Sequence, residues 1–251
     1  MFRDPFQKPL PMHAPSFPAS ANPAERLSQL RDDRIQGILH GDTPIKLPSG
    51  PKMVFNLVPL SVLDPAARID VTKLGVHLDQ LALEPHYNCA HANAAGYLRY
   101  IDPEDAATFY GYVQLYRTGT IEAVERPHLK RIDDKCFIAT PAFDIRLAEI
   151  IDKNIEAQRT SLHLTGPIGV TVSLVSCSGL RPWSPRGHQA TAREFDTEHL
   201  PFPEIIIPES SFDPWRDLKP LHDTFWQAWG FSHSPYYRDG KFSPDNPLLT
   251  W

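Results

Sequence analysis

The chain has 251 residues and a formal charge of −5, from 25 Lys and Arg against 30 Asp and Glu, a length that holds one large or two small domains. With 41% hydrophobic and 22% charged residues it can build a core, which excludes wholesale disorder. Its 16 Arg and 9 Lys are dispersed, so DNA binding by this chain alone is disfavoured.

Proline is the anomaly, at 26 residues, about twice the usual share. Six prolines fall in the first 23 residues, and the rest punctuate the body with turns and edges. No apolar run approaches the roughly 20 residues that span a bilayer, and the first residues lack the basic and apolar regions of a secretion signal. Three widely spaced cysteines, Cys89, Cys136 and Cys177, suit reduced thiols rather than a disulfide framework. The chain therefore reads as soluble and cytoplasmic, with no membrane partner.

Residues 1–22 show neither helical nor strand periodicity, and read as a flexible proline-rich arm before one α+β domain over 23–251. Asn22-Pro23-Ala24-Glu25 combines a cap, a first-turn proline and a capping-box glutamate, so a helix is expected from there to about His40. Its apolar stripe is Leu27, Leu30, Ile35 and Ile38, among charged residues that include Arg31 and Arg34. The short apolar run from Pro51 to Leu60 reads as a buried strand, and Gly96 to Ile101 as a second. Tyr110 to Glu125 alternates on both sides of Thr118-Gly119 and reads as a hairpin.

A second helix is expected from Thr140, as cap, to about Thr160. Ile168 to Ser176 is the cleanest strand. Its second face, Gly169, Thr171 and Ser173, is small enough to invite close packing of a helix or another backbone. Phe202 to Pro208 is limited to a short or edge strand by its prolines. A last helix is expected over Asp213–Trp229, interrupted at Pro220. Without regular βαβ alternation, the pattern gives an α+β fold: a largely antiparallel or mixed sheet of about five to six strands with about three packed helices.

Candidate chemistry is sparse. His86, Cys89 and His91 are possible zinc ligands, but zinc sites usually show a matching second half, and an incidental loop or partly buried strand competes with that reading. No cofactor is otherwise expected. Cys177 ends the cleanest strand, where a buried, inert thiol outweighs a nucleophile because Leu180 to Gly187 reads as loop. That loop and its continuation carry Arg181, Trp183, Arg186, His188 and Arg193, a set able to bind phosphate or stack on a base, or simply to be solvated. Arg126, His128, Lys130 and Arg131 are answered by Asp133 and Asp134 and read as a solvated connection. Glu122 and Glu125 read as outward-facing carboxylates. The aromatic rows Tyr110, Tyr112, Tyr116 and Phe225, Trp226, Trp229 exceed what one buried face needs, so Tyr112, Tyr116 and Trp226 are candidates for a partner surface.

Taken in order, Arg34-Ile-Gln-Gly-Ile-Leu-His-Gly-Asp-Thr-Pro-Ile-Lys-Leu, Gly50-Pro-Lys-Met-Val-Phe-Asn-Leu-Val-Pro-Leu-Ser61, Tyr112-Val-Gln-Leu-Tyr-Arg-Thr-Gly-Thr-Ile-Glu-Ala-Val124 and Leu218-Lys-Pro-Leu-His-Asp-Thr-Phe-Trp-Gln-Ala-Trp-Gly230 form a familiar series. It resembles the region that follows the Schlafen AlbA-type domain in bacterial proteins labelled ATP-binding or DNA-binding, over residues 24 to about 238. The AlbA-type domain itself has no counterpart here, and its function cannot be inherited. The resemblance implies a non-catalytic interaction or sensing module acting with a protein partner, one of nucleic-acid-binding or defence type. Nucleic acid then enters only through that partner. Two other readings stand beside it: a metal-dependent or Cys/His-dependent hydrolase, nuclease-like, using His86 to His91 and the 179–195 loop; and a nucleic-acid binder acting through the arginine loop.

Overall fold

A computed structural model describes residues 22–63, 89–101, 111–127, 129–132, 135–183 and 194–243. Residues 1–21 of the proline-rich arm lie outside them, as do His86, Tyr110, His128, Asp133, Asp134, Arg186, His188 and Arg193.

Helix α1 spans Pro23–Leu39. Asn22 caps it and accepts from Glu25 N at 3.0 Å, while the Glu25 carboxylate accepts from Asn22 N, so the capping box closes as its sequence dictates. Its buried stripe is Leu27, Arg31, Ile35 and Ile38. Arg31 takes the inward place expected of Leu30, because spacings of four, four and three keep one face of a 3.6-residue helix.

The central sheet takes strands from most of the chain: β1 (Lys52–Pro59), β2 (Cys89–Ala92), β3 (Gly96–Tyr100), β4 (Gly111–Tyr116) and β5 (Ile121–Glu125), followed after a gap by further strands. The next two, β6 (Leu129–Ile132) and β7 (Lys135–Ala139), form a separate hairpin where a solvated connection was expected. Helix α2 (Thr140–Glu156) runs on into a π-helical turn at Ala157–Ser161. Then come β8 (Ile168–Val175), β9 (Arg181–Trp183), β10 (His199–Pro201) and β11 (Ile205–Ile207). Helices α3 (Pro214–Asp217) and α4 (Lys219–Gln227) and the hairpin β12 (Tyr237–Arg238) and β13 (Lys241–Phe242) complete the order.

Among the described residues the main sheet has eight strands in the order β10-β8-β1-β5-β4-β3-β2, with β11 also paired to β8, and every pairing in it is antiparallel. A second, three-stranded sheet, β6-β7-β9, includes one parallel pair, β7 with β9. The fold is α+β, with more strands than the five to six expected. The extra strands are two to five residues long, too short for alternation to register.

Both faces of the main sheet are covered. On one face Phe55, Leu57, Leu115, Ile121, Val170 and Val172 meet α2 through Leu147 and Ile151 and α4 through Phe225. Phe143 stacks on Phe225 with ring centroids 3.7 Å apart. On the other face Val54, Tyr112, Val124 and Val175 join Ile35 and Ile38 of α1. The small residues of β8 serve the close approach that their size allows. A Cβ at Gly169 would come within 2.5 Å of Leu27 Cδ1, so glycine lets α1 settle directly on the strand.

Two helix starts depart from the sequence reading. Thr140 does not cap α2. The cap is Ala139, without a side-chain bond, and the buried Thr140 hydroxyl instead donates to Trp183 O (3.2 Å) and lies 3.2 Å from Tyr236 Oη. The last helix is two helices. Asp213 caps α3 by accepting from Trp215 N and Arg216 N, and Pro220 opens α4, so the expected interruption is a second start. The π-helical turn after α2 carries Gln158, whose Nε2 donates to Leu57 O and Gly119 O and ties the helix end to β1 and the β4–β5 turn.

Candidate functional site

Glu122, on the α1 side of the sheet, is an ionisable group with 0% exposure. This corrects the reading of Glu122 and Glu125 as outward carboxylates. Alternation along β5 sends Glu122 to one face and Glu125 to the other, but helices cover both faces. Arg34 of α1 grips Glu122 with two bonds, Nε to Oε2 at 2.6 Å and Nη2 to Oε1 at 3.1 Å. Tyr112 Oη (2.7 Å) and Tyr116 Oη (3.1 Å) donate to the same Oε1. Arg34 also donates from Nη1 to Asp42 Oδ2 at 3.0 Å and from Nη2 to Asp42 O at 3.2 Å, which fastens the turn after α1.

A planar guanidinium fork suits this task, since it bonds one carboxylate bidentately and still reaches a second. Burial opposes the Arg34 charge, but the adjacent Glu122 carboxylate and its hydrogen bonds outweigh that and hold the guanidinium above its ordinary range. Burial, and next the charge of Glu122, push both phenols well above theirs, so Tyr112 and Tyr116 remain donors.

The cluster sits in a polar row. Cross-strand register aligns Thr171, Asn56, Glu122 and Gln114 on four adjacent strands, all buried. Asn56 Nδ2 donates to Thr171 Oγ1 at 3.2 Å, and Gln114 Nε2 donates to Tyr97 O and Leu115 O. On the opposite face Glu125 pairs with Arg146 of α2 at 3.3 Å.

Tyr112, Tyr116 and Trp226 are not surface residues. Their exposures are 0%, 7% and 2%, because the first two are spent on Glu122 and the third on Asp144 of α2, to whose Oδ2 Trp226 Nε1 donates at 2.9 Å. The Ser234 hydroxyl donates to Asp144 Oδ2 at 3.4 Å, and on α4, one turn before Trp226, His222 Nδ1 is 2.8 Å from Tyr237 Oη. Serine, histidine and aspartate share this region, but the wiring is not that of a nucleophile. The hydroxyl bonds the carboxylate, the imidazole bonds a phenol, and all three residues have 0% exposure.

Cys89 and His91 lie two apart on β2 and so point to one side of the strand, with the His91 ring edge-on to Tyr100 at 5.8 Å. They supply two donors where a structural zinc site takes four. No group of three or more His, Cys, Asp and Glu able to hold a metal occurs among the described residues.

Cys177 is fully buried, and its thiol lies 3.6 Å from Leu174 O and 3.3 Å from Thr197 O as a donor. Burial pushes it up to about 12. In the folded protein Cys177 should therefore resist iodoacetamide at pH 8 while denaturant makes it react. Mass spectrometry of the labelled peptides checks this, and labelling at equal rates in both states contradicts it.

Arg181 and Trp183 belong to β9, which corrects the reading of Leu180 to Gly187 as loop throughout. Both are half-buried. The excursion that begins there returns to its own base. Phe195 N donates to Leu180 O and Gly179 N to Phe195 O, each at 2.9 Å, Cys177 N donates to Glu198 O at 3.3 Å, and Arg181 forms an ion pair with Glu194. The parallel pairing of β9 with β7 and the Thr140 bond to Trp183 O fix the outgoing side.

No helix among the described residues is long and apolar enough to cross a membrane. Searches against family models, curated proteins and solved structures find no match for this chain.

Proposed function

We propose that the chain is a non-catalytic interaction module, and that residues 181–194 carry its contact with a protein partner of nucleic-acid-binding or defence type. The closed base of this excursion supports the reading. Backbone bonds, the Arg181–Glu194 pair and the β7–β9 pairing give a fixed platform from which ten residues depart and to which they return. A segment whose two ends are fixed in this way loses less conformational freedom on binding than one whose ends are hinged. The sequence of those ten residues includes Arg186, His188 and Arg193, donors suited to an acidic partner surface. Arg34, Glu122, Tyr112, Tyr116 and Asp144 are engaged in bonds within the chain, which agrees with a role in holding the fold together rather than in chemistry.

A photo-reactive phenylalanine at position 183, expressed in the native host, tests this. One recurrent protein cross-link is expected at position 183, and none from the same probe at Lys153 on the exposed side of α2. Equal labelling at both positions, or none at 183, contradicts the proposal. Cross-links to nucleic acid in place of protein would transfer the argument to the arginine-loop reading.

A further inference from the structure

The last described segment, Phe231 to Ser243, is fastened to the helices by side-chain bonds that converge on two carboxylates. Ser234 N donates to Asp223 Oδ1 at 2.9 Å, and the Ser234 hydroxyl to Asp144 Oδ2. Tyr236 Oη meets the Thr140 hydroxyl, and Tyr237 Oη donates to Trp215 O at 2.6 Å while lying against His222. Phe242 stacks on Trp215 with centroids 4.0 Å apart. Asp144 is the weak point of this clasp. It has 0% exposure, Oδ2 takes both of its bonds, and Oδ1 has no hydrogen-bond partner among the described residues. An ionised carboxylate is poorly tolerated in such a place, because no cation among the described residues is paired with it.

We propose that Asp144 is a proton-controlled latch for the segment 231–243: protonated it holds the β12–β13 hairpin closed, and its ionisation favours release of the hairpin while the main sheet stays folded. The groups around it set the direction. Its own helix offers Thr140, since Arg146 and Glu149 are engaged with each other and Arg146 also with Glu125. From α4 come His222, the indole of Trp226, and Asp223, which is paired with Lys219. The terminal segment offers Ser234, Tyr236 and Tyr237, while its charged residues Arg238, Asp239 and Lys241 and its His233 are exposed. On α3, Asp217 pairs with Arg216, and Asp213 is exposed. Burial raises Asp144 to about 8 against the opposing bonds from Trp226 and Ser234, and the charge of Asp223 adds a smaller rise.

The sign follows. When the hairpin opens and water reaches Asp144, the carboxyl returns to about 4. The closed form then binds the extra proton between about pH 4 and 8, so closure weakens as pH rises through that window and levels off above it. His222 acts oppositely. Burial lowers it to about 3, so its contribution favours opening only as pH falls below about 6.5.

Hydrogen exchange at pH 6.5 and 8.0, corrected for the intrinsic rate, tests the latch. The opening constant for peptides within 231–243 should rise about fifteenfold between these pH values, from the stated pKa values of Asp144 closed and open. β1 and β8 should change far less. Asp144→Asn, which keeps the shape and the acceptor for Trp226, should reduce the hairpin change to less than about twofold. An equal change in hairpin and sheet, a hairpin indifferent to pH, or the same pH response in Asp144→Asn would each overturn the proposal. If Asp144→Asn fails to fold, Ser234→Ala serves: exchange in 231–243 should be faster at both pH values with the fifteenfold response kept, and loss of that response overturns the latch.

Discussion

Arg34→Met should cost about 3–5 kcal/mol of folding stability, the range for stranding one partner of a buried ion pair. The carboxylate left behind, Glu122, is fully enclosed and would retain only the two phenol donors. The converse change is milder. Glu122→Gln leaves Arg34 its bonds to Asp42 and a partly accessible guanidinium, so about 1–2 kcal/mol is expected. The double variant removes the stranded charge and keeps an acceptor for Tyr112 and Tyr116. It should therefore be more stable than Arg34→Met alone, which additive effects would forbid. Urea denaturation of the four proteins measures the coupling. Equal and additive losses from the two single changes would mean that the cluster does not hold α1 to the sheet as its geometry indicates.

Gly96→Ala should be the next most damaging single change, at about 3–4 kcal/mol, from backbone strain and overpacking together. Gly96 closes the tight turn from β2 into β3, where its N–H reaches the Asn93 side chain at 2.8 Å and Asn93 N reaches Gly96 O at 2.9 Å. Its φ of 156° is one that L side chains rarely adopt. More decisive is the neighbour: a Cβ would lie 1.9 Å from Leu115 O, a backbone atom of the paired strand that cannot turn aside as a side chain can. The β3–β4 register, Gly96 opposite Tyr116, would have to shift. That shift would disturb one of the phenols on Glu122, so Gly96→Ala and Arg34→Met should be non-additive. Thermal unfolding of the single and double variants gives the comparison. A Gly96→Ala protein as stable as the parent contradicts the packing described.

Those elements whose periodicity runs for a full strand or helix were legible: α1 with its capping box, β1, the β4–β5 hairpin, α2 and β8. The small face Gly169, Thr171 and Ser173 called for close packing of a helix or another backbone, and α1 fills that place. Of the short strands, β11 lies within the short or edge strand read over Phe202 to Pro208, while β6 and β9 were not legible, because β6 carries Lys130 and Arg131 and β9 contains Pro182, a composition that reads as loop. The inward turn of Glu122 was hidden for a different reason. Alternation separates two faces of a strand but does not say that both will be covered. Its partner, Arg34, lies 88 residues earlier, on a helix whose charged residues read as solvated. The signal available was the polar run of Asn56, Gln114, Glu122 and Thr171, each flanked by apolar neighbours in a strand. Tyr112, Tyr116 and Trp226 were misplaced for the same reason, since a hydroxyl or indole N–H that bonds a buried carboxylate leaves an aromatic fully inside.

The most direct test of the interaction proposal compares photo-cross-linking at position 183 in two folded variants, Glu122→Gln and Arg181→Glu. The first alters the polar cluster on the α1 side and should keep the protein cross-link of the parent. The second sets a carboxylate against Glu194, breaks the closed base and should lose it, with the circular dichroism spectrum unchanged. Loss in Glu122→Gln with retention in Arg181→Glu would contradict the proposal and move the functional site to the Arg34–Glu122 cluster.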